Sequence, residues 1–180
     1  MLSKASSTAR VLIRSIRADD RDELSRFYAA LSPESRLARF HAVSRGIGDA
    51  AATLLCGPDH EHREGFIAEP ADASSIDPGG SGEARIVGHL CLEPSAIGFE
   101  MAIAVADDWQ AQGIGRALLL AAVDWATSHG IERIHASALS SNSAVLGLIA
   151  SIGRPVRESM SSAGVVQVTM HIGGARLNAA

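Results

Sequence analysis

Two features of this sequence could do chemistry. The first is Gln110-Ala111-Gln112-Gly113-Ile114-Gly115-Arg116, which joins an apolar strand to an amphipathic helix. The opening turn of a helix presents N–H groups without intrahelical partners, and the aligned peptide dipoles make that end partly positive, so a phosphate fits there. Gly113 and Gly115 carry no β-carbon, which lets a bulky pyrophosphate come close to the amides, and Arg116 adds a full charge. The second feature is Glu100. Over 98–105 the two-residue period puts Phe99, Met101, Ile103 and Val105 on one face, and Glu100, Ala102 and Ala104 on the other. An acid among small side chains has open space beside it, which a proton-accepting base needs and a purely structural strand would fill. Plainer readings stand beside both: glycines that only permit a tight turn, and a Glu100 that only pairs with a nearby arginine.

Competing motifs fit poorly. A dinucleotide fingerprint wants Gly or Ala where Leu118 stands and an acid about 20 residues on, and a P-loop wants Gly-Lys-Ser/Thr where Gly115-Arg116-Ala117 stands. His60-Glu61-His62 lacks a clear third ligand and reads as a solvated loop, so no metal is expected. His89, His129, His135 and His171 fall in strands or at helix ends and read as structural. Cys56 and Cys91, in no redox or metal spacing, read as buried reduced thiols.

The elements that must position these residues follow from the pattern. A chain of 180 residues, 47% apolar and 20% charged, supports one well-buried core, here over 11–173 with a lead at 1–10 and a tail at 174–180. Sixteen Lys and Arg against 20 Asp and Glu leave a net charge of −4, with no counterion-release drive toward nucleic acid. Val11-Leu12-Ile13 is too short for a signal-peptide core, and no run approaches the ~20 residues of a membrane span, so a cytoplasmic protein without membrane contact is expected. Val11–Ile16 reads as a strand, and Asp19–Leu31 as a helix with Leu24, Phe27, Tyr28 and Leu31 inward. Ser32-Pro33 caps a second helix through Phe40, and Asp49 caps a third through Cys56. Strands at 65–68 and 84–92 flank an insertion at 69–83 rich in Gly, Ser, Pro and Asp. A strand over 97–106 leads to a helix with Ile114, Ala117, Leu118, Ala121, Ala122 and Trp125 inward, ending near Gly130. A strand over 131–139, a helix over 142–152 and a hairpin of 155–160 with 165–172 complete the chain.

Gln110-x-x-Gly113-x-Gly115, preceded by a strand bearing an acid and followed by a long helix, resembles the acetyl-CoA motif of the GNAT N-acetyltransferase superfamily. The resemblance runs from Val11 to near Ile172. Leu31-Ser32-Pro33-Glu34-Ser35-Arg36 with Arg39-Phe40, and Phe99–Ile103 followed by Asp107-Asp108-Trp109-Gln110, look like the catalytic domain of bacterial Pat-type protein lysine acetyltransferases. It implies an α/β (α+β) domain with a mixed central sheet of about seven strands flanked by four or five helices. It also implies acetyl-CoA as co-substrate and a primary amine, foremost a protein lysine, as acceptor. The acceptor protein could then be an acyl-CoA synthetase, and sheet edges could pair two copies into a homodimer.

Carried over residue by residue, the backbone of Ala104 and Val105 would bind the pantetheine arm. Gln112, Gly113, Gly115 and Arg116, with Gln110 and Ile114 of the same motif, would hold the pyrophosphate, and Asn142 would lie near the sulfur, although a helix N-cap explains it equally well. Glu100 would be the general base, which the chemistry requires because only about one lysine in 2,500 is neutral at pH 7. Arg36 and His41 are candidates for the acceptor groove. Where many members carry a tyrosine to protonate the leaving thiolate, this chain has Ile149, and its single tyrosine is Tyr28. The aromatic expected after Gly153 is Arg154. A small-amine acetyltransferase and a noncatalytic acyl-CoA sensor are the alternatives, and the alanines beside Glu100 leave acyl chain length open.

Overall fold

The computed structural model describes residues 11–40, 46–71, 86–160 and 164–173. In chain order the strands are β1 (Val11–Ser15), β2 (Glu64–Pro70), β3 (Gly88–Ser95), β4 (Gly98–Val105), β5 (Arg133–Leu139), β6 (Val156–Met160) and β7 (Val165–His171). The helices are α1 (Arg21–Ala30), α2 (Pro33–Phe40), α3 (Asp49–Leu55), α4 (Ile114–Ser128) and α5 (Ser143–Ala150). One seven-stranded sheet runs β1-β2-β3-β4-β5-β7-β6. Every neighbouring pair is antiparallel except β4 and β5. The expected mixed α/β sheet with five helices is what the chain forms.

Each face of the sheet has its own core. Phe66, Leu90, Leu92, Met101 and Ile134 pack against Ile114, Leu118, Leu119, Ala122 and Val123 of α4. On the other face, Ile16 and Ile67 pack with Leu24, Phe27 and Tyr28 of α1 and Cys56 beyond α3. Both cysteines are buried and free. No helix among the described residues is long and apolar enough to cross a membrane.

Several boundaries differ from expectation. β2 extends through Pro70, pairing Glu69 and Pro70 with Leu12 and Val11, so the insertion starts later than residue 69. Most of the insertion, His41, the N-terminal lead and the C-terminal tail lie outside the described residues. Gly48, rather than Asp49, is the N-cap of α3. Ser32 does cap α2, its hydroxyl accepting from the Ser35 amide at 3.1 Å. The buried stripe of α4 is Ile114, Leu118, Leu119, Ala122, Val123 and Ala126, while Ala117, Ala121 and Trp125 sit at its half-buried margin. That helix is apolar around much of its girth, so the sheet it packs on selects the inward face.

A single cation ties the β1 edge to α1. Arg14 donates to the buried Asp20 carboxylate at 2.7 Å and to Glu69 at 2.9 Å. These bonds, Asp20 foremost, raise the Arg14 pKa above its ordinary value. Removing one partner of a buried ion pair costs more than the pair itself contributes. Arg14→Met is therefore expected to lower the unfolding free energy by about 3 kcal/mol, read from urea denaturation. Serine at the exposed Leu12 should change it by less than about 0.5 kcal/mol.

Candidate active site

The parallel ladder between β4 and β5 consists of two register pairs, Phe99 with Ile134 and Glu100 with His135. Beyond Glu100 the strands part. Each is fully engaged elsewhere: β4 pairs with β3 over eight positions and β5 with β7 over seven. The gap becomes a cleft of about 1080 Å³, walled by 100–105 of β4, 136–139 of β5, the starts of α4 and α5, and α2.

The two edges of β4 are unequal. The Ala106 amide donates to the Val87 carbonyl at 2.9 Å, and alternation along an antiparallel ladder turns Ala104 toward β3 as well. Ile103 and Val105 therefore direct their N–H and C=O groups into the cleft. Ala104 contributes its methyl group instead, so the backbone edge that faces the cleft is that of Ile103 and Val105 rather than of Ala104. The Val105 carbonyl accepts from Gln110 Nε2 at 3.1 Å.

At the far end of the cleft α4 starts without a side-chain cap. Its first helical bond runs from the Ala117 amide to the Gly113 carbonyl, which leaves the amides of Ile114, Gly115 and Arg116 without helical partners. Gly113 has φ of 86°, a left-handed conformation that side-chain-bearing residues rarely adopt. A β-carbon at Gly115 would stand 3.3 Å from Leu148 Cδ2, so this glycine also lets α4 close on α5. Gly113, Gly115 and Arg116 line the cleft, whereas the Gln112 side chain is turned to the Asp108 carbonyl, its Nε2 donating at 2.9 Å. Asn142 also lines it while capping α5, its Oδ1 accepting from the Val145 amide at 3.2 Å.

A clamp fixes α2 as the opposite wall. Asp107 accepts from the Ser32 amide at 2.8 Å, the Ser32 hydroxyl at 2.7 Å and the Ser35 hydroxyl at 2.7 Å. Burial works against the Asp107 charge, but these bonds outweigh it and hold the carboxyl below its ordinary pKa. Gln110 joins the clamp through Ser35 at 3.2 Å.

Glu100 stands exposed at the vertex, and no salt bridge among the described residues holds it. Its cross-strand neighbour Glu93 is taken by Arg63 in two bonds of 2.6 and 2.7 Å, which relieves the like-charge contact. Further along the same face, the Tyr28 hydroxyl meets His89 Nδ1 at 2.8 Å. Burial pushes Tyr28 up to about 12 and His89 down to about 3, so both are neutral at pH 7. Arg36 is not in the cleft wall: its guanidinium donates back to the Ala29 and Leu31 carbonyls at the end of α1. Arg39, one turn on, lines the cleft instead.

The sequence profile described as the acetyltransferase (GNAT) family matches residues 48–153, more than half of the chain. The chain belongs to the GNAT acetyltransferase family. Acetyltransferase PA5475 of Pseudomonas aeruginosa is 28% identical over 147 residues, spanning 79% of this chain and 74% of that protein. The fold is similar to the GNAT domain of S. lividans PAT, at a TM-score of 0.73 and 24% identity over 88% of this chain and 89% of that one. It is also similar to yncA from Salmonella typhimurium, solved with its cofactor acetyl-CoA, at a TM-score of 0.71 and 17% identity over 94% and 99%.

GNAT enzymes use acetyl-CoA, and this GNAT chain has a slot of matching chemistry: a strand edge, an uncapped helix start and Arg116. It has no tyrosine in the cleft wall. Ile149 is buried in the core, and Tyr28 is fully buried, bonded to His89, and does not line the cleft. Arg154, where the family has an aromatic, donates to the Ile172 carbonyl at 2.9 Å. Among the described residues no group of three metal-ligating side chains occurs; His60 pairs with Glu64 and His62 with Asp59.

Two outcomes follow. Valine at position 113 is disfavoured in the left-handed conformation and reshapes the amides, so Gly113→Val should weaken acetyl-CoA binding by about tenfold or more in calorimetry. Unchanged affinity would show that these amides do not hold the coenzyme. Second, His89 stays neutral in the fold down to about pH 3, whereas in the unfolded chain it takes up a proton below about 6.5. Its contribution is full above pH 6.5 and declines as pH falls toward 3, by about 1.4 kcal/mol per unit. Urea midpoints between pH 6.5 and 5 should fall in the native chain and fall less in His89→Gln.

Proposed function

We propose that this enzyme transfers the acetyl group of acetyl-CoA to a primary amine by direct attack, with Glu100 as general base and a protein lysine as acceptor. The observation that carries this reading is the position of Glu100: it stands where β4 and β5 part, on the face shared with Ala102 and Ala104, at one end of a cleft whose other end is the uncapped start of α4. Bound acetyl-CoA supplies an activated acyl carbon and a leaving thiolate. The cradle at Gly113–Arg116 would take the pyrophosphate, and the Ile103 and Val105 edge would take the amide-bearing arm as an added strand takes a partner.

Glu100 would receive a proton from the incoming ammonium, directly or through water. The amine nitrogen then bonds the acyl carbon as the carbon–sulfur bond breaks, and the second proton that nitrogen sheds passes to water. With no tyrosine in the cleft wall, the thiolate leaves as the anion and is protonated by solvent. A protein acceptor is supported by the Pat-like segments at 31–40 and 99–110 and by the cleft rim, where α2 exposes Leu37. An acyl-CoA synthetase is one such acceptor, encountered in the cytoplasm.

Label transfer from isotopic acetyl-CoA into a lysate, separated into protein and small-molecule fractions, tests the reading. Native enzyme should label protein lysines, and Glu100→Gln should keep acetyl-CoA affinity while slowing transfer at least about tenfold. Label confined to small molecules would reassign the acceptor. Coenzyme binding without transfer would point to a sensor, and an unslowed Glu100→Gln would eliminate the base.

A further inference from the structure

Arg39 is a cation that the acetyl-transfer reaction does not use. It lies on α2, lines the cleft, and has its guanidinium carbon 5.0 Å from the Phe40 ring centre and 5.9 Å from that of Tyr28. Its Nη2 approaches Cys91 Sγ at 3.5 Å, and its Nε is buried without a hydrogen-bond partner. No carboxylate among the described residues forms a salt bridge with it. Two ring faces, a thiol and the neutral Tyr28 hydroxyl, which is also bonded to His89, are weak company for a guanidinium, whose planar fork matches a carboxylate.

The position of this cation relative to Glu100 is informative. Cys91 stands opposite Ala102, the next residue after Glu100 on the same face of β4, and successive same-face residues are about 7 Å apart. The Glu100 carboxylate acts on the Arg39 guanidinium electrostatically, yet the two do not join in a salt bridge. The β4 side chains beside this pair are the methyl groups of Ala102 and Ala104. The acceptor side of the cleft thus offers an anion and a cation held apart across small side chains. A molecule bearing an ammonium and a carboxylate a few ångströms from each other complements both.

We infer that Arg39 is a specificity-determining residue that binds a carboxylate of the acceptor, so that the preferred substrate is an amine with a carboxylate close to the reacting nitrogen. The inference rests on the proposed transfer to an amine and narrows its acceptor. The carboxylate can belong to an acidic residue beside a target lysine or to a free amino acid, and the two sources are separable by experiment.

The test compares matched acceptors with the whole enzyme. One pair is two peptides identical except for Glu or Gln next to a single lysine; the others are β-alanine and 4-aminobutyrate, each against its amide. Thiol release from acetyl-CoA gives kcat/KM, and calorimetry in the presence of CoA gives acceptor affinity separately. In the native enzyme the carboxylate member of at least one pair should be favoured by about tenfold or more in both readouts. The pair showing this names the source. Arg39→Met should bring the ratio toward one, Arg39→Lys should keep part of it, and the KM for acetyl-CoA should not move in either.

Equal use of both members by the native enzyme would overturn the inference and leave acetyl transfer intact, as would a preference that survives Arg39→Met. Carboxylate-selective binding without any thiol release would support the Arg39 assignment and sink the transfer reading instead. Should Arg39→Met fail to fold, the native comparison and Arg39→Lys decide.

Discussion

The structure depends on a ladder that stops. Among the described residues β4 and β5 are the only parallel neighbours in the sheet, and after Glu100 and His135 they are no longer paired. A strand edge with free N–H and C=O groups is a liability inside a folded domain, because unpaired backbone groups away from water are costly. Here the edge is tolerated because it opens on a cleft. The antiparallel partners β3 and β7 hold the two strands in place, and Ile114, Gly115 and Leu148 close the gap from the side of α4 and α5. The same split delivers the helix start, the strand edge and the acid to one space.

The charges around this space are arranged so that few compete with a ligand. Glu93 is engaged by Arg63, Asp107 by two serines, and His89 and Tyr28 are neutral partners of each other. The charged groups of the cleft wall are Glu34 at the α2 rim, Arg39, Glu100, Asp107 and Arg116; none has a salt-bridge partner among the described residues, and of these Asp107 is held by the serines. Arg116 sits at the cradle, where an anion is expected, and Arg39 and Glu100 flank the small side chains of β4. The serine clamp on Asp107 matters to both ends, since it fixes α2 to the turn that leads into α4.

Much of this arrangement was legible because it is local. A helix start after a strand can be read from Gly113 and Gly115, and the face of Glu100 from a two-residue period. Three features were not legible, each for a tertiary reason. The inward face of α4 was misjudged at Leu119, Val123 and Trp125 because the helix is apolar on several sides. Side-chain alternation tells which face a residue occupies but not which backbone edge lacks a partner, so Ala104 was named where Ile103 turns its amide to the cleft. Arg36 and Arg39 are one turn apart on a short helix, and only the clamp at Ser32 and Ser35 with the Tyr28 and Phe40 rings determines that Arg39 faces inward.

On the reading proposed above, the parted strands and the start of α4 form one acetyl-CoA slot. Amide hydrogen exchange, resolved by residue with and without saturating acetyl-CoA, tests it most directly. Protection should rise by on the order of tenfold or more at Ile103, Val105 and the amides from Gly113 to Arg116, with the distant β1 and β6 edges unchanged. Coenzyme binding that leaves those amides exchanging as before, or that protects a different face of the sheet, would contradict that reading.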